Sequence, residues 1–181
     1  MRRLINSTYV TLDGVIANPQ HWPSHEIDDE SGFAIQTELL FACDAVLMGR
    51  GTYESFAAVW PTRSDPYSDR INRMAKYVVS TTLGDPAWEN TTVISDDPVA
   101  AIRDLKQQPG MDIVQYGFGP IAHSLLQHGL IDELRLWMHP VFLGRGGPDG
   151  LIHREGPATL LHLVDTRTLK NGNVILTYRL T

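Results

Sequence analysis

Cysteine is nearly missing from this chain: Cys43 is the single one among 181 residues. A lone thiol excludes an intramolecular disulfide and any cluster of cysteine metal ligands. Cys43 precedes an apolar run and reads as a small core residue. Basic charge is also short. Fifteen Lys and Arg stand against 21 Asp and Glu, a net charge of −6. Binding a nucleic-acid backbone needs the opposite balance, so no nucleic-acid partner is expected. A small phosphorylated ligand stays open, because one well-placed arginine suffices to hold it. No apolar run approaches the roughly 20 residues of a membrane span, and Met1-Arg2-Arg3-Leu4 leads into a strand-like run rather than the apolar core of a signal peptide. The expected location is the cytoplasm, with no membrane partner. Internal repeats, low-complexity segments, a G-x-S-x-G elbow and a zinc-deaminase H-x-E…C-x-x-C signature are absent too. His21 and His25 stand four apart, but Pro23 between them opposes the helix that would align them as ligands, and no metal is expected.

What is present is a chain 43% hydrophobic and 20% charged, the balance of one globular domain spanning residues 1–181. Strand-like runs at Leu4–Val10, Ala45–Met48, Tyr77–Thr81, Thr91–Ser95, Asp112–Tyr116 and Leu134–Met138 alternate with helical patterns. The first helix begins near Asp29, capped by Asp28 or Asp29, with Phe33, Thr37, Leu40 and Phe41 at helical spacing. Thr52 offers a cap to a helix through Val59, Asp65–Ala75 suggests a short one, and Asp97-Pro98 starts another. Leu160–Thr168 and Val174–Leu180 flank Asn171-Gly172, a type I′ hairpin signal. The pattern predicts an α/β fold: a mixed, mostly parallel sheet of about eight strands with a C-terminal antiparallel hairpin.

Three turns follow predicted strands. Gly49-Arg50-Gly51-Thr52 places a guanidinium between glycines at a helix start, a recipe for phosphate. Ser80-Thr81-Thr82 offers hydroxyls that either bind a ribose or phosphate or cap a turn. Gly117-Phe118-Gly119-Pro120-Ile121-Ala122 has the spacing G-x-G-x-x-A between a strand and a helix. The following strand ends Trp137-Met138-His139-Pro140 without the carboxylate a Rossmann fold would use on the ribose, so a different fold is expected. In a parallel sheet the three turns share one edge. Together they suit NADP, with an arginine rather than an acid near the adenosine end.

Those residues carry a resemblance. Met48-Gly49-Arg50-Gly51-Thr52-Tyr53-Glu54 after an apolar strand resembles the M-G-R-x-T-[WY]-E of the dihydrofolate reductase-like superfamily. Leu12-Asp13-Gly14-Val15-Ile16-Ala17, the Gly117-x-Gly119 turn and Leu130-Ile131-Asp132-Glu133-Leu134 more closely resemble the C-terminal reductase domain of the riboflavin-biosynthesis protein RibD and its stand-alone relatives. The resemblance implies a dihydrofolate reductase-like three-layer sandwich and an NADPH-dependent reductase acting on a small heterocycle (a pterin or ribosylaminouracil-like ring) or a carbonyl. It would set Gly49, Arg50, Gly51 and Thr52 on the 2′-phosphate and pyrophosphate side. Ser80 and Thr81 would line the adenosine, and Gly117, Phe118, Gly119 and Ile121 would cover the pyrophosphate. Ile16 and Ala17 would lie against the nicotinamide. Asp13 is the ionisable candidate for orienting or protonating substrate, or else a plain Asp-Gly turn former; Trp22 would wall the substrate pocket or plug the core. The carboxylate that dihydrofolate reductases carry on their first helix has no clear counterpart; Asp29, Glu30 and Glu38 are candidates or merely solvated charges. Two rival readings stand beside this one: a non-catalytic NADP(H)-binding or sensing protein, and a detoxifying nitro- or quinone-type reductase. The Leu130–Met138 segment and the final hairpin, with Trp137 facing away from the core, are expected to form a homodimer surface.

Overall fold

The structure, a computed structural model, describes residues 1–23 and 30–180. The Asp28 and Asp29 caps and His25 therefore lie outside the described residues. Among the described residues eight strands form one sheet: β1 (Leu4–Thr11), β2 (Cys43–Gly49), β3 (Ala75–Val79), β4 (Thr91–Ile94), β5 (Asp112–Tyr116), β6 (Glu133–His139), β7 (Leu161–Thr168) and β8 (Val174–Leu180). Five α-helices among these residues connect them: α1 (Glu30–Phe41), α2 (Arg50–Ala57), α3 (Pro66–Arg73), α4 (Pro98–Gln107) and α5 (Pro120–Gln127). The strand order is β4-β3-β2-β5-β1-β6-β8-β7. The first six strands run parallel, and β8 and β7 return antiparallel.

Alternating side chains feed two cores, as strands buried on both faces require. On one face Ile5, Val46, Met48 and Val114 meet Leu39 and Leu40 of α1, Tyr53 of α2 and Ile71 of α3. On the other Leu4, Leu47, Ile113 and Leu134 meet Ile102 and Leu105 of α4 and Ala122 and Leu125 of α5. The result is a three-layer sandwich. Cys43 is fully buried, and burial pushes its thiol up to about 12, which makes it a core residue.

Local chemistry explains the helix starts. Asp65 caps α3 by accepting from the amides of Tyr67 and Ser68, and Asp97 caps α4 by accepting from Ala100, each with proline next in line. Four expectations are corrected. Gly49, not Thr52, caps α2, because the chain turns into helix directly at the strand end and Thr52 falls inside the first turn; the helix ends at Ala57 rather than Val59. In α1 the buried stripe is Gly32, Leu39 and Leu40, and Phe33 and Phe41 stay exposed against Tyr67 and Arg70. The final hairpin is not type I′. Gly172 alone has positive φ, at 85°, the Gly172 amide donates to Leu169 and the Leu169 amide donates to Asn173. A three-residue loop with glycine in the left-handed position replaces the two-residue turn. Finally, β6 lies inside the sheet between β1 and β8, and Trp137 is buried with Nε1 donating to Ser7 Oγ at 3.1 Å, so Trp137 offers no dimer surface.

Candidate functional site

Because β1 to β6 are parallel, the residues that follow them gather on one edge. In sheet order these are Ser80 after β3, Arg50 after β2, Gly117 after β5, the Thr11–Ala17 loop after β1, and His139 at the end of β6. The strand order reverses within this row, and open α/β sheets bind ligands at such a place. Two helices, α2 and α5, begin here and aim their free amides along it.

Neighbouring turns touch. Arg50 Nη1 donates to Thr82 Oγ1 at 2.6 Å and its Nε to Glu54 Oε1 at 2.7 Å, while the side chain stays about half exposed. The arginine therefore bridges the β2 and β3 turns and keeps one face toward solvent. Ser80 Oγ accepts from the amides of Thr82 and Leu83, so this hydroxyl is committed to its own turn, and Thr81 projects outward. Gly117 has φ +82°, and a Cβ on it would come within 3.0 Å of Thr52 Oγ1. Its carbonyl accepts from Asn6 Nδ2 at 2.9 Å; the same amide group reaches Gln115 Oε1 at 3.0 Å. Phe118 turns its side chain into the α4–α5 core, a cluster against which the half-buried Ile16 and Ile121 also pack, which leaves its backbone at the edge. Gly49 and Gly119 carry the extended backbone that starts α2 and α5, and Gly51 is open around its Cα.

Gly117→Ala is expected to destabilise the fold by about 1–2 kcal/mol, since alanine is strained at that φ and displaces Thr52. Denaturant unfolding measures it. A variant as stable as the wild type would show that the turn relaxes freely.

The loop after β1 is tied down. Ile16 donates to Gly150 O and Ile152 to Gly14 O, both at 2.8 Å, with a bridge between Val15 and Leu151. Asp13 completes the tie: Oδ1 accepts from Thr11 Oγ1 at 2.5 Å and Oδ2 from the amides of Leu143 and Gly144 at 3.0 and 2.8 Å. The Thr11 hydroxyl foremost, then these amides, hold the carboxyl below the usual carboxylate range. Of the two roles open to Asp13, the turn-forming one has a complete set of bonds. A carboxylate held ionised is a poor proton donor near neutral pH. A group with a depressed folded pKa contributes stability above its unfolded value, about 3.9, and loses it as pH falls through the folded value. Acidification below pH 4 is therefore expected to loosen the 143–150 loop, read as faster proteolysis there, and Asp13→Asn to bring the same change at neutral pH. Unchanged cleavage in the variant would show that the latch is redundant.

Ala17 O accepts from Trp22 Nε1 at 2.9 Å, and both line a cleft of about 440 Å³ with Asn18, His21 and Arg145. Trp22 meets His139 edge-on with centroids 5.2 Å apart, and His139 lies against Tyr9 with centroids 5.0 Å apart and the rings tilted by 56°. Tyr9 OH takes a long 3.4 Å contact from Gln36 Nε2 of α1. His139 Nε2 and Gln36 Oε1 are both buried without a partner. Burial pushes the imidazole pKa down and the Tyr9 phenol up, so both are neutral near pH 7. Glu30 and Glu38 are exposed on α1, and Asp29 lies outside the described residues. Sequence reading missed Asn6, Gln115, Gln36 and His139. The first two carried a signal, as polar residues inside apolar strands; the others depend on contacts across the fold. Among the described residues no cluster of side chains could hold a metal ion.

The sandwich, its strand order and the row of turns define an α/β protein with the dihydrofolate reductase-like fold. Within that class the chain belongs to the RibD C-terminal domain family, whose match covers residues 2–175. It is 33% identical over 184 aligned positions to the uncharacterised protein YyaP of Bacillus subtilis (strain 168), covering 98% of this chain and 94% of that one. A Shewanella sp. PV-4 structure assigned provisionally to riboflavin biosynthesis superposes with a TM-score of 0.74 at 21% identity, covering 100% and 99% of the two chains. The Thermotoga maritima diaminohydroxyphosphoribosylaminopyrimidine deaminase/5-amino-6-(5-phosphoribosylamino)uracil reductase matches at TM-score 0.67 and 16% identity, over 99% of this chain and 57% of that one. At these identities the two structures establish the fold.

Proposed function

We propose that this chain is an NADPH-dependent reductase that delivers a hydride to a small heterocyclic substrate, pterin or ribosylaminouracil-like, or to a carbonyl. The observation that carries the reading is the contiguous edge formed by Arg50, Thr82, Thr52 and Gly117, with two helix N-termini aimed along it. The residues fit a dinucleotide. Arg50 and Thr82 suit the 2′-phosphate, the α2 and α5 amides with Gly117 and Gly119 suit the pyrophosphate, and Ile16 and Ala17 offer an apolar wall to the nicotinamide. Bound NADPH supplies the hydride; the protein aligns the reacting carbon and excludes water. The substrate then lies one strand further along, where Tyr9, Trp22, Gln36 and His139 meet. The orphaned Gln36 Oε1 and His139 Nε2 would bond its polar edge, since buried polar atoms without partners are costly. Asp13 acts through the loop it ties. The family's reductase character supports this reading, and a cytoplasmic homodimer is part of it.

The rival, a non-catalytic NADP(H)-binding or sensing protein, draws on one observation: the ionised, fully bonded Asp13 leaves the nicotinamide end without a carboxylic proton donor. Fluorescence titration with NADPH and NADH tests cofactor binding. Loss of nicotinamide absorbance with pterins, ribosylaminouracils, quinones and aldehydes then tests turnover. Failure to bind either nucleotide sinks both readings, and binding without turnover favours the sensor.

A further inference from the structure

The α4–α5 face of β1 and β5 changes character within one step of the ladder. Leu4 and Ile113 stand side by side in the apolar core; two residues on, in the same column, stand Asn6 and Gln115. Asn6 is completely buried and Gln115 nearly so. An apolar pair would fill this place as Leu4 and Ile113 fill theirs, so the polar atoms call for a use.

Their hydrogen bonds point to one. The Gly117 carbonyl can only accept, which fixes the group facing it at 2.9 Å as Nδ2 of Asn6. The same Nδ2 also donates to Gln115 Oε1 at 3.0 Å, and Asn6 Oδ1 accepts from Thr8 Oγ1 at 2.8 Å. Three neighbours thus hold the Asn6 amide in one orientation. The arrangement costs stability, because Gln115 Nε2 is left buried without a partner. A network kept for stability alone would not strand a donor.

The carbonyl that Asn6 grips belongs to the turn that opens α5. Its peptide bond is trans, and in a trans unit the C=O and the following N–H point in opposite directions. Holding the Gly117 oxygen toward Asn6 therefore turns the Phe118 N–H away from the buried network. Among the described residues that N–H has no acceptor. With the peptide reversed, an anion at this turn would meet a carbonyl oxygen, which repels it; as held, it meets a donor.

We infer that Asn6 is a positioning residue of the ligand edge, which by holding the Gly117 carbonyl inward aims the Phe118 amide at the pyrophosphate of the dinucleotide, a role that rests on the cofactor reading proposed above. Fluorescence titrations of the full chain with NADPH, NADH and adenosine 2′-phosphate test it, since the last carries the Arg50 end of the cofactor without the pyrophosphate. Asn6→Leu should raise the dissociation constants of NADPH and NADH by the same factor, about tenfold, and leave adenosine 2′-phosphate within about twofold. Gln115→Met removes one of the three restraints on Asn6 and should weaken both nucleotides about threefold. Labelling phenylalanine with 15N gives five amide signals, and Phe118→Leu identifies the one from position 118. Saturating NADPH should move that signal downfield in the wild type and by less than half as much in Asn6→Leu. Circular dichroism melting verifies that each variant is folded. A wild type that binds neither nucleotide removes the cofactor reading and this role with it. Where the wild type binds, a Phe118 signal that NADPH leaves in place, a folded Asn6→Leu with unchanged nucleotide affinity, or an equal loss of adenosine 2′-phosphate overturns the role of Asn6 alone. If Asn6→Leu does not fold, Gln115→Met with unchanged nucleotide affinity overturns it.

Discussion

Arg50→Ala is expected to weaken NADPH binding by about tenfold to a hundredfold while NADH binding changes less than about twofold. A hydrogen bond to a charged partner contributes about 1.5–3 kcal/mol, and every 1.4 kcal/mol is tenfold in affinity. Arg50 reaches Thr82 across the gap between the β2 and β3 turns, so its guanidinium is already held before any ligand arrives. The side chain is about half exposed, and solvent screening sets the effect toward the lower part of that range. Thr82→Ala should follow with a smaller loss, since it removes the positioning and keeps the charge. Parallel fluorescence titrations with the two nucleotides measure both. An equal loss for NADPH and NADH after Arg50→Ala would show that the arginine does not read the 2′-phosphate.

Lys76→Met is expected to destabilise the fold by about 3 kcal/mol, although Lys76 lies at the start of β3, well away from the ligand edge. Its ammonium is buried and donates to three carbonyl oxygens, Asn72 at 2.8 Å and Met74 and Glu89 at 2.9 Å, and it stands 4.5 Å from the centre of the Trp88 ring. Two of those carbonyls belong to the end of α3 and its cap, groups that a helix leaves unpaired. Methionine fills the volume but donates nothing, so the oxygens stay buried and unsatisfied, at about 1–3 kcal/mol for each such group before water relieves part of the cost. Urea unfolding monitored through tryptophan fluorescence gives the difference directly. A loss below about 1 kcal/mol would mean that water enters and replaces the ammonium.

The two variants separate a ligand effect from a fold effect, and the residues behind them were not equally visible in the sequence. Arg50 stood out because two glycines and a strand flanked it, a local arrangement with a local meaning. Lys76 looks like any strand lysine; its task exists only where the end of α3 and the Glu89 turn converge on it. The same contrast runs through the site. Gly49 is marked in the sequence by the apolar strand before it and Gly117 by the G-x-G-x-x-A spacing, both local signals. Asn6 and His139 depend on which strands become neighbours, and β1 reaches β5 and β6 only through crossovers. Asp13 was found as a residue but not as a bond set, because Leu143 and Gly144 are 130 and 131 positions away in the chain. Trp137 was misplaced because strand alternation tells which residues face oppositely, not what covers the second face.

By itself the sequence determined the alternation of strands and helices, the antiparallel end, the helix starts at Asp65 and Asp97 and the three turns after strands. Each is encoded within a few neighbouring residues by periodicity, capping or backbone freedom. Tertiary structure alone decided the strand order, and with it the row in which the turns stand. It also decided that Ser80 Oγ serves its own turn, that Phe118 packs into the core and that Gln36 and His139 meet at Tyr9. Those outcomes depend on pairings between distant segments, which the burial of two continuous apolar cores selects and no local pattern records.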